Sequence, residues 1–568
     1  MTGFRPSPSS QRRKVPETDH GRFLGGIIYQ HPMAFWVGTV AVTVGVLLHL
    51  PDYLASATMS YRMTGMGMST MMNVGMGLIL VGLALAAYGL IPWRTGDSRP
   101  SEQRLANFHL HAMDTARLSP AHWGLLFVLG VALIVDVMKP ATLGFVVPGM
   151  KSEYHLTTKM VVAVPIAGLL GTTIGSFLWG IVSDRIGRRA AILLASIMFV
   201  GTSICGFMPS YAWNLLMCFV MGLAAGGMLP IVYALMAESI PARKRGWLVV
   251  LHAGMGTVGG YLAASGLTAL LEPHFTWRIL WFAGLPTGLL LLVLNRWIPE
   301  SPRFLLEHGR VEEAEAVMSR YGVVLEKRPE VVGGLPIGSR SSGPAPAKKT
   351  GVFQLFRAPY VGQTITVVSY GLAWGLVNWG FITFIPVILQ DRGVDVGTAS
   401  RLLFMSAFLA IPGTVLVAYL YGLWSSKKSM ILFALVTAAA LAGFAVVNPG
   451  ASGEEGRWLT PLMVLLLVGS GGVIAMLSPY TAEVYPTAVR GTGSGLAAGS
   501  SKFGGIFGPT ITAAVIVAAP GFTTLAAVMI MPLLVSSGLL AFIGKETKDR
   551  ALEEVSVSDP QPVEELPS

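Results

Sequence analysis

Apolar runs of about 17 to 25 residues recur along this chain: Ala34 to Leu50, Met72 to Ile91, and twelve more between Trp123 and Ile543. An α-helix of that length just crosses the hydrocarbon core of a bilayer. In that medium each backbone N–H and C=O must find its partner inside the segment, so runs this long are expected as helices. The expectation is an all-α, polytopic membrane protein with about fourteen spans. A chain with 53% hydrophobic and only 12% charged residues could not dress a water-soluble surface in any case.

Charge placement orients the spans. Of the 40 Lys and Arg, 31 fall on the side that holds both termini, seven fall opposite, and Lys139 and Lys502 lie inside spans. By the positive-inside rule both termini are expected in the cytoplasm and the chain in the cytoplasmic (inner) membrane. The same bias accounts for the net charge of +10 without a nucleic-acid partner, because the basic clusters are short and sit between spans. Cys205 and Cys218 both lie within spans and read as small core residues. No phosphate-cradling loop, nucleophile elbow or metal-ligand spacing occurs, so neither an enzyme, a cofactor nor a metal is expected.

An internal repeat divides the chain. Ala237–Gly260 and Ala482–Gly505, 245 positions apart, are identical at 10 of 24 positions without a gap. Two six-helix halves joined by a long polar stretch form the pattern of a transporter that rocks about a midplane site. The expected divisions are a tail 1–33, an extra two-helix hairpin 34–93, a linker 94–120, a first bundle 121–298, a central loop 299–357, a second bundle 358–544 and a tail 545–568. Ser301-Pro302 supplies a cap and a first-position proline for a surface helix in that loop, followed by a flexible linker rich in Gly, Ser and Pro. Between the two extra spans, Met59 to Met76 carries seven methionines and reads as a flexible apolar surface against lipid or partner helices rather than a copper site. The partner of the hairpin is unknown from sequence.

GIVSDRIGRR (Gly180 to Arg189) resembles the signature loop of the major facilitator superfamily. PESPRFLLEHGR (Pro299 to Arg310), KETKDRALEE (Lys545 to Glu554) and the doubled Glu-x-x-Pro…Arg-Gly pattern resemble its sugar-porter, organic-ion and synaptic-vesicle-protein-like branches. The resemblance implies a twelve-helix core of two pseudo-symmetric six-helix bundles, here with two added N-terminal helices. It also implies a cytoplasmic gate of Gly180, Asp184, Arg185, Gly187, Arg188, Glu238, Arg245, Glu483 and Arg490, in which Asp184, Arg185 and Arg188 latch the halves. The second copy of the loop, GLWSSKK, has Ser426 in place of an acid, leaving one latch intact. The first core span resembles the aromatic-acid/proton symporters, whose paired aspartates here become Asp136 and Lys139.

Three charges sit deep in spans, where each costs roughly 2.5 to 3.5 kcal/mol, and such residues usually mark substrate or proton paths. Asp136 is the expected proton-coupling group. Lys139, on the same helical face at a spacing of three, and Lys502, about 16 Å into its span, are the expected anion-binding cations. The repeat puts Thr257 opposite Lys502, which makes that lysine an asymmetric addition. Gln363, Tyr370, Trp374 and Asn378 recur at helical spacing and are expected to line the cavity. These readings converge on proton-coupled symport of a small organic anion, with partners limited to a small-molecule substrate, protons and the lipid bilayer. A sugar or polyol facilitator and a non-transporting sensor or scaffold remain the alternatives.

Overall fold

The computed structural model describes residues 31–91, 117–323, 352–447, 455–485, 487–518 and 522–548. Both expected tails (bar a few residues), most of the 94–120 linker and the Gly/Ser/Pro-rich part of the central loop thus lie outside the described residues.

Among the described residues, fourteen helices are long and apolar enough to cross a membrane: α1 Pro32–Met59, α2 Thr70–Leu90, α3 Pro120–Glu153, α4 Lys159–Ile186, α5 Arg188–Phe207, α6 Tyr211–Ser239, α7 Lys244–Phe275, α8 Ile279–Trp297, α9 Val361–Asp391, α10 Val396–Leu423, α11 Ser426–Val447, α12 Leu459–Val484, α13 Thr492–Ala518 and α14 Thr523–Ile543. Helices α3–α8 and α9–α14 form two bundles. The end that carries Gly180–Arg189 is called the loop end, and the other the far end.

The bundles meet along several seams, among them α7 on α12, where a β-carbon on Gly471 would stand 3.6 Å from Val258. Helix α7 packs on α10, where a β-carbon on Gly254 would stand 3.2 Å from Thr414. Helix α4 meets α13, and at the far end α3 meets α9, where Gly144 lets the helices approach until a β-carbon would lie 2.8 Å from the Thr383 carbonyl. Lys151 and Asp391 close that far end with an ion pair of 2.6 Å.

Local sequence explains several departures from plain helix. The single surface helix expected after Pro302 is two, Pro302–Glu307 and Val311–Arg320, because Gly309 turns the chain at φ +75° between them. Ser301 caps the first as expected, accepting from the Phe304 amide at 3.3 Å. Helix α9 loses its regular repeat at a π turn, Val377–Phe381, followed by a 3-10 turn, Ile382–Phe384. Helix α5 is α-helical over Arg188–Gly201 and 3-10 over Thr202–Phe207.

Helices α1 and α2 pack antiparallel through glycines and dock on α5. In the methionine-rich segment between them, Met59 and Met71 are exposed. Met63 and Met72 are buried, and the Met63 amide and Thr64 hydroxyl donate to Glu153 at 3.0 and 2.8 Å.

Candidate functional site

The three deep charges do not form one cluster. Asp136 on α3 is buried, and its Oδ1 has no hydrogen-bond partner. Pro140, four residues on, has no N–H to give the Asp136 carbonyl, so the backbone is also loosened at this point. Lys502 of α13, Lys139 and Tyr233 of α6 are the charged and titratable neighbours of the carboxyl. Neither lysine is close enough to form an ion pair with it.

Lys139 turns away from Asp136 despite the spacing of three. Its ammonium donates to the Phe199 carbonyl at 2.5 Å and to the Thr202 hydroxyl at 2.7 Å, and lies 4.9 Å from the centre of the Phe199 ring. The reason is space: Gly284 of α8 leaves a slot that a β-carbon would fill at 2.7 Å from the ammonium nitrogen. Hydrogen bonds from a charged group are worth about 1.5 to 3 kcal/mol each. Two of them direct this lysine to α5 rather than to Asp136.

Lys502 is satisfied differently. It crosses the seam between the halves and donates to the Ser176 hydroxyl and, at 3.3 Å, to the Thr172 carbonyl of α4. All its ligands are neutral oxygens. They are in reach because α4 packs on α13; on its other side α4 touches α6 backbone to backbone, where a β-carbon on Gly222 would stand 1.9 Å from the Gly168 carbonyl. That contact also lets Ser176 donate to Gly226 at 2.8 Å.

The expected polar stripe of α9 breaks into two parts. Gln363 lies near the loop end and donates to the Ile543 carbonyl at 3.0 Å, while Tyr370 is fully buried and donates to the Met430 carbonyl at 3.1 Å. Both are used inside the second bundle. Trp374, whose buried Nε1 has no partner, and Asn378, inside the π turn, remain at the level of the lysine and the aspartate. Because a π turn shifts the helical face by one residue, Trp379 rather than the next stripe position packs on Gly505 of α13, which also adjoins Leu169 of α4.

At the loop end, among the described residues, the ion pairs of Arg188 lie within the first half. Arg188 pairs with Asp184 at 3.3 Å and with Glu238 at 3.2 Å. Arg185 is exposed, and Gly180 has open space where a β-carbon would stand, so the turn glycine is Gly187, at φ +98°. A β-carbon there would lie 2.3 Å from Glu300, whose carboxylate accepts the amides of Arg188 at 2.8 Å and Arg189 at 3.2 Å. Arg245 donates to the Ile240 carbonyl at 3.1 Å. In the second half Glu483 accepts from Tyr421 at 2.8 Å and Thr547 at 2.6 Å. The side chain of Arg490 lies outside the described residues.

Two bundles related by the internal repeat, with a polar seam at mid-depth and this loop end, leave the family to be decided by comparison. The sequence profile described as Major Facilitator Superfamily matches residues 125–509. The chain belongs to the major facilitator superfamily. It is a membrane transporter, not an enzyme. It is 25% identical over 441 residues to the niacin transporter NiaP of Acinetobacter baylyi, covering 77% of this chain and 97% of that protein. It is 27% identical over 417 residues to the gallate transporter of Pseudomonas putida, covering 71% and 88%. In fold it is similar to the partially occluded inward open conformation of the xylose transporter XylE from E. coli, with a TM-score of 0.60, 15% identity, and 76% of this chain and 100% of that chain covered.

For a major facilitator the missed residues are instructive. Thr172 and Ser176 carried a signal, small polar residues four apart in the glycine-rich GTTIGSF, but nothing in spacing said that a lysine 326 positions after Ser176 would reach them. Glu300 stood inside the PESPRF motif and Glu546 inside KETKDR, yet their roles as caps depend on chain reversal that the sequence does not display. Glu546 accepts the Ser426 amide at 2.9 Å and the hydroxyls of Ser425 and Ser426. Glu546 is thus the second half's counterpart of Glu300, which accepts the amides at the start of α5. Among the described residues, no group of His, Cys, Asp and Glu is arranged to hold a metal ion.

Proposed function

We propose that this transporter couples protons to the uptake of a small organic anion, an aromatic or aliphatic carboxylate, by alternating access. The loop end faces the cytoplasm, as the distribution of 31 of 40 basic residues supports. One observation carries the reading: the Lys502 ammonium lies at the seam of the halves with neutral ligands only, near a buried carboxylate that lacks a partner. A cation so placed has lost its water without gaining a counter-charge, and an arriving carboxylate supplies one where the low dielectric makes it count. Asp136 is the group that exchanges a proton, and Trp374 and Asn378 offer a ring and an amide to the substrate. The relatives that transport niacin and gallate, both small aromatic acids, support the same substrate class.

The test is uptake into proteoliposomes under an imposed pH gradient, with aromatic acids, aliphatic acids and sugars as candidate substrates. Acids are expected to accumulate. Lys502→Gln is expected to weaken binding of the transported acid by about 1.5 to 3 kcal/mol, roughly ten- to more than a hundredfold, with Lys502→Arg retaining part of it. Accumulation of a neutral sugar, with undiminished binding to Lys502→Gln, overturns the reading in favour of a sugar facilitator.

A further inference from the structure

The family match begins at residue 125, so α1 and α2 stand outside it, and the structure shows where they are attached. Inside the bilayer span they touch α5 at one point of weakness. Gly201 is the last α-helical residue before the 3-10 turn Thr202–Phe207, and a β-carbon on it would meet Ile79 of α2 at 3.3 Å, Val42 of α1 at 3.6 Å and Leu83 at 3.8 Å. On its other side the same break is held by Lys139. The Phe199 carbonyl takes the ammonium at 2.5 Å together with the hydroxyls of Thr202 at 3.1 Å and Ser203 at 3.2 Å. A 3-10 stretch of six residues has poorer hydrogen-bond geometry than an α-helix and runs longer than such stretches usually do, so it needs support from outside.

At the far end the hairpin is clasped as well. Glu153, at the end of α3, holds the Met63 amide and Thr64 hydroxyl while pairing with Arg278 at 2.7 Å. Arg278, fully buried, in turn donates to the Gly206 and Met208 carbonyls at the end of α5, at 2.7 and 2.9 Å. Tyr53 of α1 donates to the Phe275 carbonyl at the end of α7, and its ring meets that of Phe207 at a tilt of 33°, 4.8 Å between centres.

We propose that the α1–α2 hairpin and Lys139 form one brace that clamps the helix break of α5 from both sides and ties α3, one turn from Asp136, to α5 and α7 as a rigid unit. Lys139 is then a positioning residue: it fixes how α3 presents Asp136 and does not touch substrate. The second acid of the symporters that the first span resembles has become a tether, and the added hairpin backs it. The purpose of the brace rests on the transporter reading, but hydrogen exchange reads the brace without transport, so the two can fail separately.

The experiment is amide hydrogen–deuterium exchange by mass spectrometry on the full chain in lipid nanodiscs, following the segment 199–207. Gly201→Val drives methyl groups into Ile79 and Val42, and Lys139→Met removes the tether from the other side. Each is expected to speed exchange of that segment by about tenfold or more while α11 is unaffected. Gly77→Val, where a β-carbon meets open space, is the control and should match the native protein. If Gly201→Val does not fold, Ile79→Ala with Val42→Ala loosens the same contact by removing volume. Native-rate exchange of residues 199–207 in the hairpin variants and in Lys139→Met overturns the brace.

Discussion

Lys139 and Lys502 are the same residue type at comparable depth, and their surroundings give them different work. Lys139 is held by a carbonyl and a hydroxyl within its own bundle, those of Phe199 and Thr202. In the proposed cycle a buried charge responds to substrate when its ligands lie across the seam between the halves, as Thr172 and Ser176 do for Lys502. The sequence displayed both lysines plainly, because hydropathy makes any charge inside a span conspicuous. It could not tell them apart, since spacing assigns a residue to a helical face but not to the neighbour its long side chain will reach. Asp136 is the third case, with one carboxylate oxygen unpartnered in the protein interior. Such an oxygen is cheapest when protonated or when an incoming group donates to it. Asp136→Asn mimics the permanently protonated state. It should abolish accumulation driven by a pH gradient while substrate exchange across the membrane stays measurable. Uphill transport at the native rate in this variant rules out a proton-carrying role.

The starts of α5 and α11 are built alike, and neither device was visible from helix periodicity. In each half a glutamate just beyond the last helix of the bundle reaches back to the first amides of its third helix, where unpaired N–H groups and the helix dipole favour an anion. Glu300 does this at Arg188 and Arg189, and Glu546 at Ser426. Their environments differ. Burial pushes the Glu300 carboxyl up to about 7 against the pull of the Ser301, Arg188 and Arg189 amides and the Arg188 guanidinium. For Glu546 burial also pushes upward, but the hydroxyls of Ser425 and Ser426 and the amides of Lys548 and Ser426 outweigh it and hold the group below the ordinary carboxylate range. The consequence for Glu300 has a definite sign. Between its ordinary value of 4.5 and about 7, the folded chain keeps a proton that the unfolded chain has lost. The stability linked to that proton is complete below the lower value and is lost as pH rises through the upper one. Melting temperatures of the native protein should therefore fall between pH 5 and 8 by an increment that Glu300→Gln lacks. A Gln variant with the native slope would show that another group sets the pH response.

At the scale of the whole molecule the sequence was most legible where physics acts on long segments. Fourteen spans and two related halves follow from hydropathy and the 245-residue repeat, because a bilayer punishes any other arrangement of apolar runs. The seams between the halves were not legible. They are made by contacts such as Gly144 on Thr383, Lys502 on Ser176 and Gly505 on Leu169, each of which joins residues far apart in sequence. One seam also carries a charge pair that bears on the working cycle. Lys151 and Asp391 bridge the far ends of α3 and α9 at 2.6 Å, beyond the π and 3-10 turns that soften α9, and are partly exposed, at 27% and 48% of the side chain. An exposed pair of this kind is worth about 0.2 to 1 kcal/mol. Breaking it cannot unfold the protein, but it can move a balance between closed and open far ends by up to roughly fivefold. Asp391→Asn should therefore leave the melting temperature nearly unchanged and enlarge the long-distance population between spin labels at Lys159 and Arg401, measured by double electron–electron resonance. Exchanging the charges, Lys151→Asp with Asp391→Lys, should restore the native distribution, because the geometry of the seam is kept and only the sign is swapped. An unchanged distribution in Asp391→Asn would mean that the packing of Gly144 against Thr383 closes the far end without help from the ion pair.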